Sequence, residues 1–182
     1  RHTDGKDTCV TLLNPASEEF QIVRTSLLVG ALKTLQCAKA QSMKEGLKLF
    51  EVNDVVTRDN NEDVGARNTR HLVATYTGAT AGFEVIHGLM DRVMTCAQIA
   101  PTLAYAGNSL KGYTASQGRQ YSVEPVDDPT YFPGRCARIV LEEHGAKRYI
   151  GVFGVIHPEV LKNFGITNPT SALELDVEAI AQ

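Results

Sequence analysis

The segment at residues 149–156, YIGVFGVI, constrains the fold most, because it is apolar on both of its faces. Successive side chains of a strand point to opposite faces, so this pattern predicts a strand in the middle of a sheet. The segment before it, residues 135–142, has one clearly apolar face formed by Ala137, Ile139 and Leu141. A polar turn, His144-Gly145-Ala146-Lys147, separates the two segments and predicts an antiparallel hairpin.

Two glycines and a proline refine this prediction. Gly151 and Gly154 interrupt the central strand, which predicts a bulge or a neighbouring segment packed against bare backbone. Pro158 follows His157 at the end of the strand, where we expect it to be the first residue of a short helix.

The rest of the chain predicts further strands and two long helices. Helical spacing of apolar residues marks residues 26–41 and 83–97, and strand patterns mark residues 9–13, 47–56, 72–76, 120–124 and 172–177. Residues 47–56 suggest a strand buried on much of both sides, and residues 58–70 a charged loop. This order predicts one α+β domain over residues 1–182, an antiparallel sheet with helices on one side. A doubly wound α/β fold is the alternative, disfavoured because GxGxxG and GxxxxGK[ST] are absent.

Charge and cysteine content exclude several classes of function. The net charge of −3 and the pI near 6.0 argue against a nucleic-acid-binding domain, so RNA contacts are expected on other regions. Cys9, Cys37, Cys96 and Cys136 form no CxxC pair, which favours buried, reduced thiols in a cytosolic protein. We expect no membrane span and no signal peptide, and the start at Arg1 suggests a piece of a longer chain.

Three groups of polar residues are candidates for a site. Glu84, His87 and Asp91 share one helix face and could hold a metal, although a solvated or interface-facing stripe is favoured. His157 is expected to be a structural hydrogen-bonding residue and His144 an exposed one. A basic cluster could contact phosphate, although a solvated loop is favoured; its members are Arg67, Arg70 and His71. No Ser or Cys lies in a GxSxG elbow, so no nucleophile is predicted.

Longer segments resemble one family over residues 11–177. They are NPASEEFQIVRTSLLVGALKTL, LKLFEVNDVV, DVGARNTRHLVATY, GFEVIHGLMDRVM, DPTYFPGRCARI, GVFGVIHPEVLKNFGI and SALELDVE. They resemble the C-terminal, catalytic-like core of phenylalanyl-tRNA synthetase beta subunits of the archaeal and eukaryotic cytosolic type. Val29 departs from the family, which usually has proline there.

The resemblance implies a class II synthetase-like fold without its own active site. It implies an alpha-subunit partner in an alpha-two beta-two assembly, which uses ATP and magnesium to attach phenylalanine to tRNA in the cytoplasm. Class II sites hold the ATP phosphate with an arginine just before an acidic strand residue, whereas Lys48-Leu49-Phe50 precede Glu51 here. No GxGxxR occurs either. We therefore predict no catalytic, cofactor-binding or metal-binding residues in this domain, and expect the editing site upstream of Arg1.

Three hypotheses follow, with one predicted interface. The leading one is a structural subunit domain; a free-standing class II-like ligase and an RNA-binding module are the alternatives. The apolar face of the first long helix is broader than a sheet contact requires, which predicts that this helix carries the main contact with the partner subunit, with Leu28 and Leu32 in the interface.

Overall fold

The computed structural model describes residues 8–38, 46–106 and 118–181, which form one α+β unit. A short 3-10 turn, Glu18–Phe20, precedes the regular elements. The helices are α1 (Leu28–Cys37), α2 (Phe83–Cys96), α3 (Leu103–Ala106), α4 (Pro158–Asn163) and α5 (Glu178–Ala181). The strands are β1 (Leu47–Arg58), β2 (Ala66–Thr77), β3 (Ala100–Pro101), β4 (Arg119–Pro125), β5 (Tyr131–Glu143), β6 (Ala146–Ile156) and β7 (Thr170–Asp176).

The strands form one seven-stranded sheet in the order β1-β2-β7-β6-β5-β4-β3. All neighbours are antiparallel except β3 and β4, so the sheet is mixed. The hairpin of β5 and β6 and the central position of β6 confirm the sequence prediction. The last strand, β7, does not stand at an edge: it lies between β2 and β6.

The glycines of β6 allow its neighbours to approach closely. Gly151 pairs with Ile139 and Tyr149 pairs with Val140, so Ile150 is an extra residue that forms a bulge. A Cβ at Gly154 would lie 2.6 Å from the Arg135 carbonyl oxygen, and one at Gly151 would lie 2.5 Å from a carbonyl oxygen of β7. Both predicted roles of these glycines, a bulge and a close backbone contact, are confirmed.

Helices cover both faces of the sheet, not one side as the sequence suggested. On one face α2 places Ile86, Met90 and Met94 against Leu173. On the other face α1 and α4 pack against a second core that contains Ala172. Neighbouring residues of β7 thus belong to different cores, because side chains alternate along a strand.

The apolar face of α1 is buried within the domain, so the predicted interface through Leu28 and Leu32 is wrong. Leu28 is 7% exposed and Leu32 is 1% exposed, packed in the second core. The face is broad because it belongs to one core cluster with side chains of several strands, including Tyr131 of β5, and with Leu161 of α4. Val29, the second helical residue, is 51% exposed and occupies a position where proline is well tolerated. Residues 39–41, the predicted end of this helix, lie outside the described residues.

The N-terminal half differs from the sequence prediction in three places. Residues 9–13 form only an isolated bridge, Thr11 to Ile22, instead of a strand. The strand β1 lies at the sheet edge, and one of its faces is exposed instead of buried: Phe50 is 74% and Val52 46% exposed. The predicted charged loop is shorter, because β2 already begins at Ala66.

Two predictions about single residues are confirmed, and one about the thiols is partly wrong. His157 caps α4: its Nδ1 accepts a hydrogen bond of 3.2 Å from the Glu159 backbone N–H, with Pro158 as first helical residue. His144 lies exposed in the hairpin turn. All four thiols are free, but only Cys136 is buried, since Cys37 and Cys96 lie on the exposed sides of their helices.

Candidate functional site

Glu174 is a charged residue near the middle of the sheet, on the face that carries α1. Its side chain is 12% exposed and accepts three hydrogen bonds. The Ser26 hydroxyl donates to Oε2 over 2.6 Å, and the Leu27 backbone N–H donates to Oε1 over 3.0 Å. The His71 Nδ1 lies 3.0 Å from Oε1. Because β2 pairs with β7, His71 reaches Glu174 diagonally across the two strands.

These contacts keep the carboxylate ionised. Burial raises the pKa of Glu174, but hydrogen bonds from His71, Ser26 and the Leu27 backbone outweigh it and leave the pKa below its usual value. The carboxylate thereby fixes the first residues of α1 to the sheet. This contact joins residues 148 positions apart in the chain.

Ser26, Glu174 and His71 do not form a nucleophilic triad. In such a triad the histidine lies between the nucleophile and the carboxylate, so that it can take the nucleophile's proton. Here the carboxylate lies between the other two, and Ser26 Oγ also accepts a hydrogen bond of 3.1 Å from Leu28 N–H. The serine is therefore a structural residue of the helix start.

A cleft of about 450 Å³ opens above these residues; we call it the Glu174 cleft. Its polar lining includes His71, Asp128, Glu174 and Asp176, and no lysine or arginine is among its described lining residues. Arg148 lies beside it and binds Asp176 over 3.1 Å. The cleft therefore offers carboxylates where a triphosphate would need cationic partners.

The strand that would carry a phosphate-binding arginine in a class II site runs along the sheet edge. Lys48 is exposed there, and Glu51 pairs with Arg24 over 3.2 Å. Arg24 also donates from Nε to the Asp54 carbonyl oxygen over 2.9 Å, so it joins the N-terminal segment to β1. The two hydrogen bonds of Arg24 are structural, and neither Arg24 nor Glu51 lines the Glu174 cleft.

The polar stripe of α2 is an internal hydrogen-bond cluster. His87 Nε2 contacts the Tyr105 hydroxyl, and the Tyr121 hydroxyl donates to Asp91 over 2.8 Å. The third stripe residue, Glu84, is exposed and takes no part in these bonds. Within residues 8–38, 46–106 and 118–181, no group of three His, Cys, Asp or Glu residues could hold a metal ion.

The predicted basic cluster does not form a common site. Arg67, Arg70 and His71 lie on β2 instead of in a loop. Arg70 binds Asp54 over 2.5 Å, whereas His71 points to the other face and binds Glu174. That pairing of Arg70 lowers the pKa of Asp54, chiefly through the side-chain hydrogen bond.

Sequence reasoning did not identify Glu174 or Ser26 as partners. One signal was present: Glu174 lies inside an otherwise buried strand, TSALELD, and a charged residue there needs a partner. Spacing along the chain could not show which residues supply it.

Similar proteins identify the family. Residues 1–177 match the sequence model of the phenylalanyl tRNA synthetase beta chain CLM domain. A phenylalanine–tRNA ligase beta subunit of Caenorhabditis elegans is 43% identical over 179 residues, covering 98% of this chain and 27% of the relative. The human one is 42% identical over 168 residues, covering 92% and 25%. The chain thus spans about a quarter of the length of these relatives.

Another relative extends the comparison to fungi. The beta subunit of Saccharomyces cerevisiae is 38% identical over 181 residues, which covers 98% of this chain and 29% of that protein. In the described part of the chain, no helix is long and apolar enough to cross a membrane. From the match over residues 1–177, the chain belongs to the family of the phenylalanyl-tRNA synthetase beta chain CLM domain.

Proposed function

We propose that this chain is a non-catalytic domain of a phenylalanine–tRNA ligase beta subunit and that it supports an active site on the alpha subunit. The Glu174 cleft carries this proposal: its described lining includes three carboxylates and no lysine or arginine. Adenylation by a class II site needs guanidinium groups on the ATP phosphates, and carboxylates repel them. A free-standing ligase is therefore disfavoured.

The remaining components belong to the assembly as a whole. We propose that the alpha subunit binds ATP and magnesium in an alpha-two beta-two complex, and that tRNA contacts other regions. The net charge of −3 supports the last point, because RNA-binding surfaces are usually basic. A cytoplasmic role in protein synthesis is supported by the name of the Arabidopsis thaliana relative, a cytoplasmic phenylalanine–tRNA ligase beta subunit.

The surface proposed for the alpha subunit is the outer edge of β1, with the residues beside it. Phe50 is 74% exposed and Val52 is 46% exposed on one face of this strand. Within residues 8–38, 46–106 and 118–181, no other strand pairs with that edge. The N-terminal segment covers the end of the edge, where the Val56 N–H donates to the Arg24 carbonyl oxygen over 2.9 Å. The exposed apolar side chains of Phe50 and Val52, beside the rest of the edge, favour contact with another polypeptide. We propose this surface as the interface in place of the apolar face of α1, which is buried within the domain.

Co-purification with a phenylalanine–tRNA ligase alpha subunit tests the proposal. Phe50→Asp and Val52→Asp should each prevent complex formation, because a charge would be left unpaired in a buried interface. Val64→Asp is the matched control, since Val64 is 84% exposed in the loop between β1 and β2. Circular dichroism confirms that the variants fold.

Two results separate the parts of this proposal. If both β1 variants fold and still co-purify at the wild-type ratio, the interface lies elsewhere on the domain. If the unaltered chain forms no complex with the alpha subunit, the supporting role itself is refuted.

A further inference from the structure

A second groove lies at the end of the β5–β6 hairpin, and we call it the Phe132 groove. Its volume is about 630 Å³, and it adjoins the Glu174 cleft because Asp128 and Tyr131 line both. Apolar and aromatic walls are formed by Val126, Pro129, Phe132, Pro133, His157 and Val160. The groove lies outside the β1 edge proposed above, so the following inference is independent of the subunit interface.

Phe132 is an exposed aromatic platform that is held in place. Its side chain is 42% exposed, and its ring stacks on His157 with 6.2 Å between centroids and 24° between planes. His157 is fixed in turn by its hydrogen bond to the Glu159 backbone N–H. An exposed ring that is already immobilised loses little conformational freedom when a ligand covers it.

Three carboxylates make the lining of the groove negatively charged. Asp127, Asp128 and Glu159 line it, and none of its described lining residues is a lysine or arginine. Two of these carboxylates also act on the buried thiol of Cys136, although burial has the larger effect. Burial together with Asp128 and Asp127 raises the pKa of Cys136 to about 12, against the opposing effect of Arg138.

We propose that the Phe132 groove binds an extended segment of another polypeptide in which lysine or arginine side chains alternate with apolar ones. The apolar side chains would contact the proline and valine walls. A cationic side chain above Phe132 gains from the ring's negative face, and the rim carboxylates add charge complementarity. Nucleotides and RNA are disfavoured in this groove, because their phosphates would face the carboxylates of Asp127 and Glu159, and its described lining residues include no lysine or arginine.

Fluorescence anisotropy with two labelled peptides tests the proposal. One octapeptide alternates lysine with leucine, and the other alternates glutamate with leucine. The lysine peptide should bind this chain at low salt, and binding should weaken as salt is raised, because exposed ion pairs are screened. The glutamate peptide should not bind.

Groove variants and matched controls locate the binding. The double change Asp127→Asn with Glu159→Gln should weaken binding about 10-fold, and Phe132→Ala about 5-fold, as expected for lost ion pairs and a lost cation–π contact. Glu84→Gln and Phe50→Ala change an exposed carboxylate and an exposed ring outside the groove, and they should have no effect. Circular dichroism verifies that all variants are folded.

Several results would overturn the proposal. The lysine peptide could fail to bind the unaltered chain, or the glutamate peptide could bind equally well. Equal weakening by Glu84→Gln would show that the peptide binds the whole surface through its charge, and equal weakening by Phe50→Ala would place the binding at β1 instead of the groove.

Discussion

Replacing Glu174 with glutamine tests how the first helix is held to the sheet. The carboxylate accepts hydrogen bonds from Ser26, the Leu27 backbone and His71. A hydrogen bond to a charged group contributes about 1.5–3 kcal/mol and one between neutral groups about 0.5–1.5 kcal/mol. Glutamine keeps the shape and one acceptor oxygen but removes the charge from all three bonds. We therefore expect Glu174→Gln to lower the free energy of unfolding by about 2–3 kcal/mol.

The stability that Glu174 contributes should depend on pH. The pKa of Glu174 is lower in the folded chain than its usual value of 4.5, so its ionised form stabilises the fold above that pH. That contribution is lost as pH falls below 4.5 through the folded-state pKa. The difference in stability between the wild-type chain and Glu174→Gln should therefore be full at pH 7 and shrink under acid conditions.

Urea unfolding followed by circular dichroism at pH 7 and at acid pH provides the measurement. A loss of 2–3 kcal/mol would also lower the melting temperature by roughly 4–12 °C in a domain of this size. Glu84→Gln is the control, because Glu84 is exposed and should leave both quantities unchanged. An unaltered urea midpoint in Glu174→Gln, or a stability difference that persists undiminished in acid, would show that the Glu174 carboxylate does not hold α1 to the sheet.

Three further predictions concern the hairpin, the cap of α4 and the thiols. Gly154→Ala should destabilise the fold, because its Cβ would lie 2.6 Å from a carbonyl oxygen of β5; an unchanged melting temperature would contradict this. His157→Ala should cost about 1 kcal/mol in urea unfolding, since it removes the acceptor that caps α4. A thiol reagent should label Cys37 and Cys96 in the folded chain within minutes, and Cys136 only after denaturation, as mass spectrometry can determine.

The centre of this fold could be predicted from local patterns. Residues 149–156 are apolar on both faces, and only a central strand buries both, so the position of β6 followed from the sequence. The cap of α4 also followed, since His157 and Pro158 are neighbours in the chain. In both cases the relevant contacts depend on adjacent residues or on burial alone.

The features that could not be predicted depend on contacts between residues far apart in the chain. The broad apolar face of α1 showed that Leu28 and Leu32 are covered, but not that the domain itself covers them. The position of β7 between β2 and β6 could not be predicted either, because several strands have similar sequence patterns and could have paired there. Ser26 and Glu174 form a hydrogen bond only because this strand order brings β7 beneath the start of α1.

Phenylalanine-dependent exchange of pyrophosphate into ATP tests whether this domain is catalytic. We expect that the chain alone, purified free of other synthetases, gives no exchange above background, while an alpha–beta assembly in the same assay is active. A control with Glu174→Gln should also be inactive, because removing one carboxylate supplies no guanidinium group for the ATP phosphates. Exchange by the chain alone that requires both phenylalanine and ATP would contradict the claim that this domain is not catalytic.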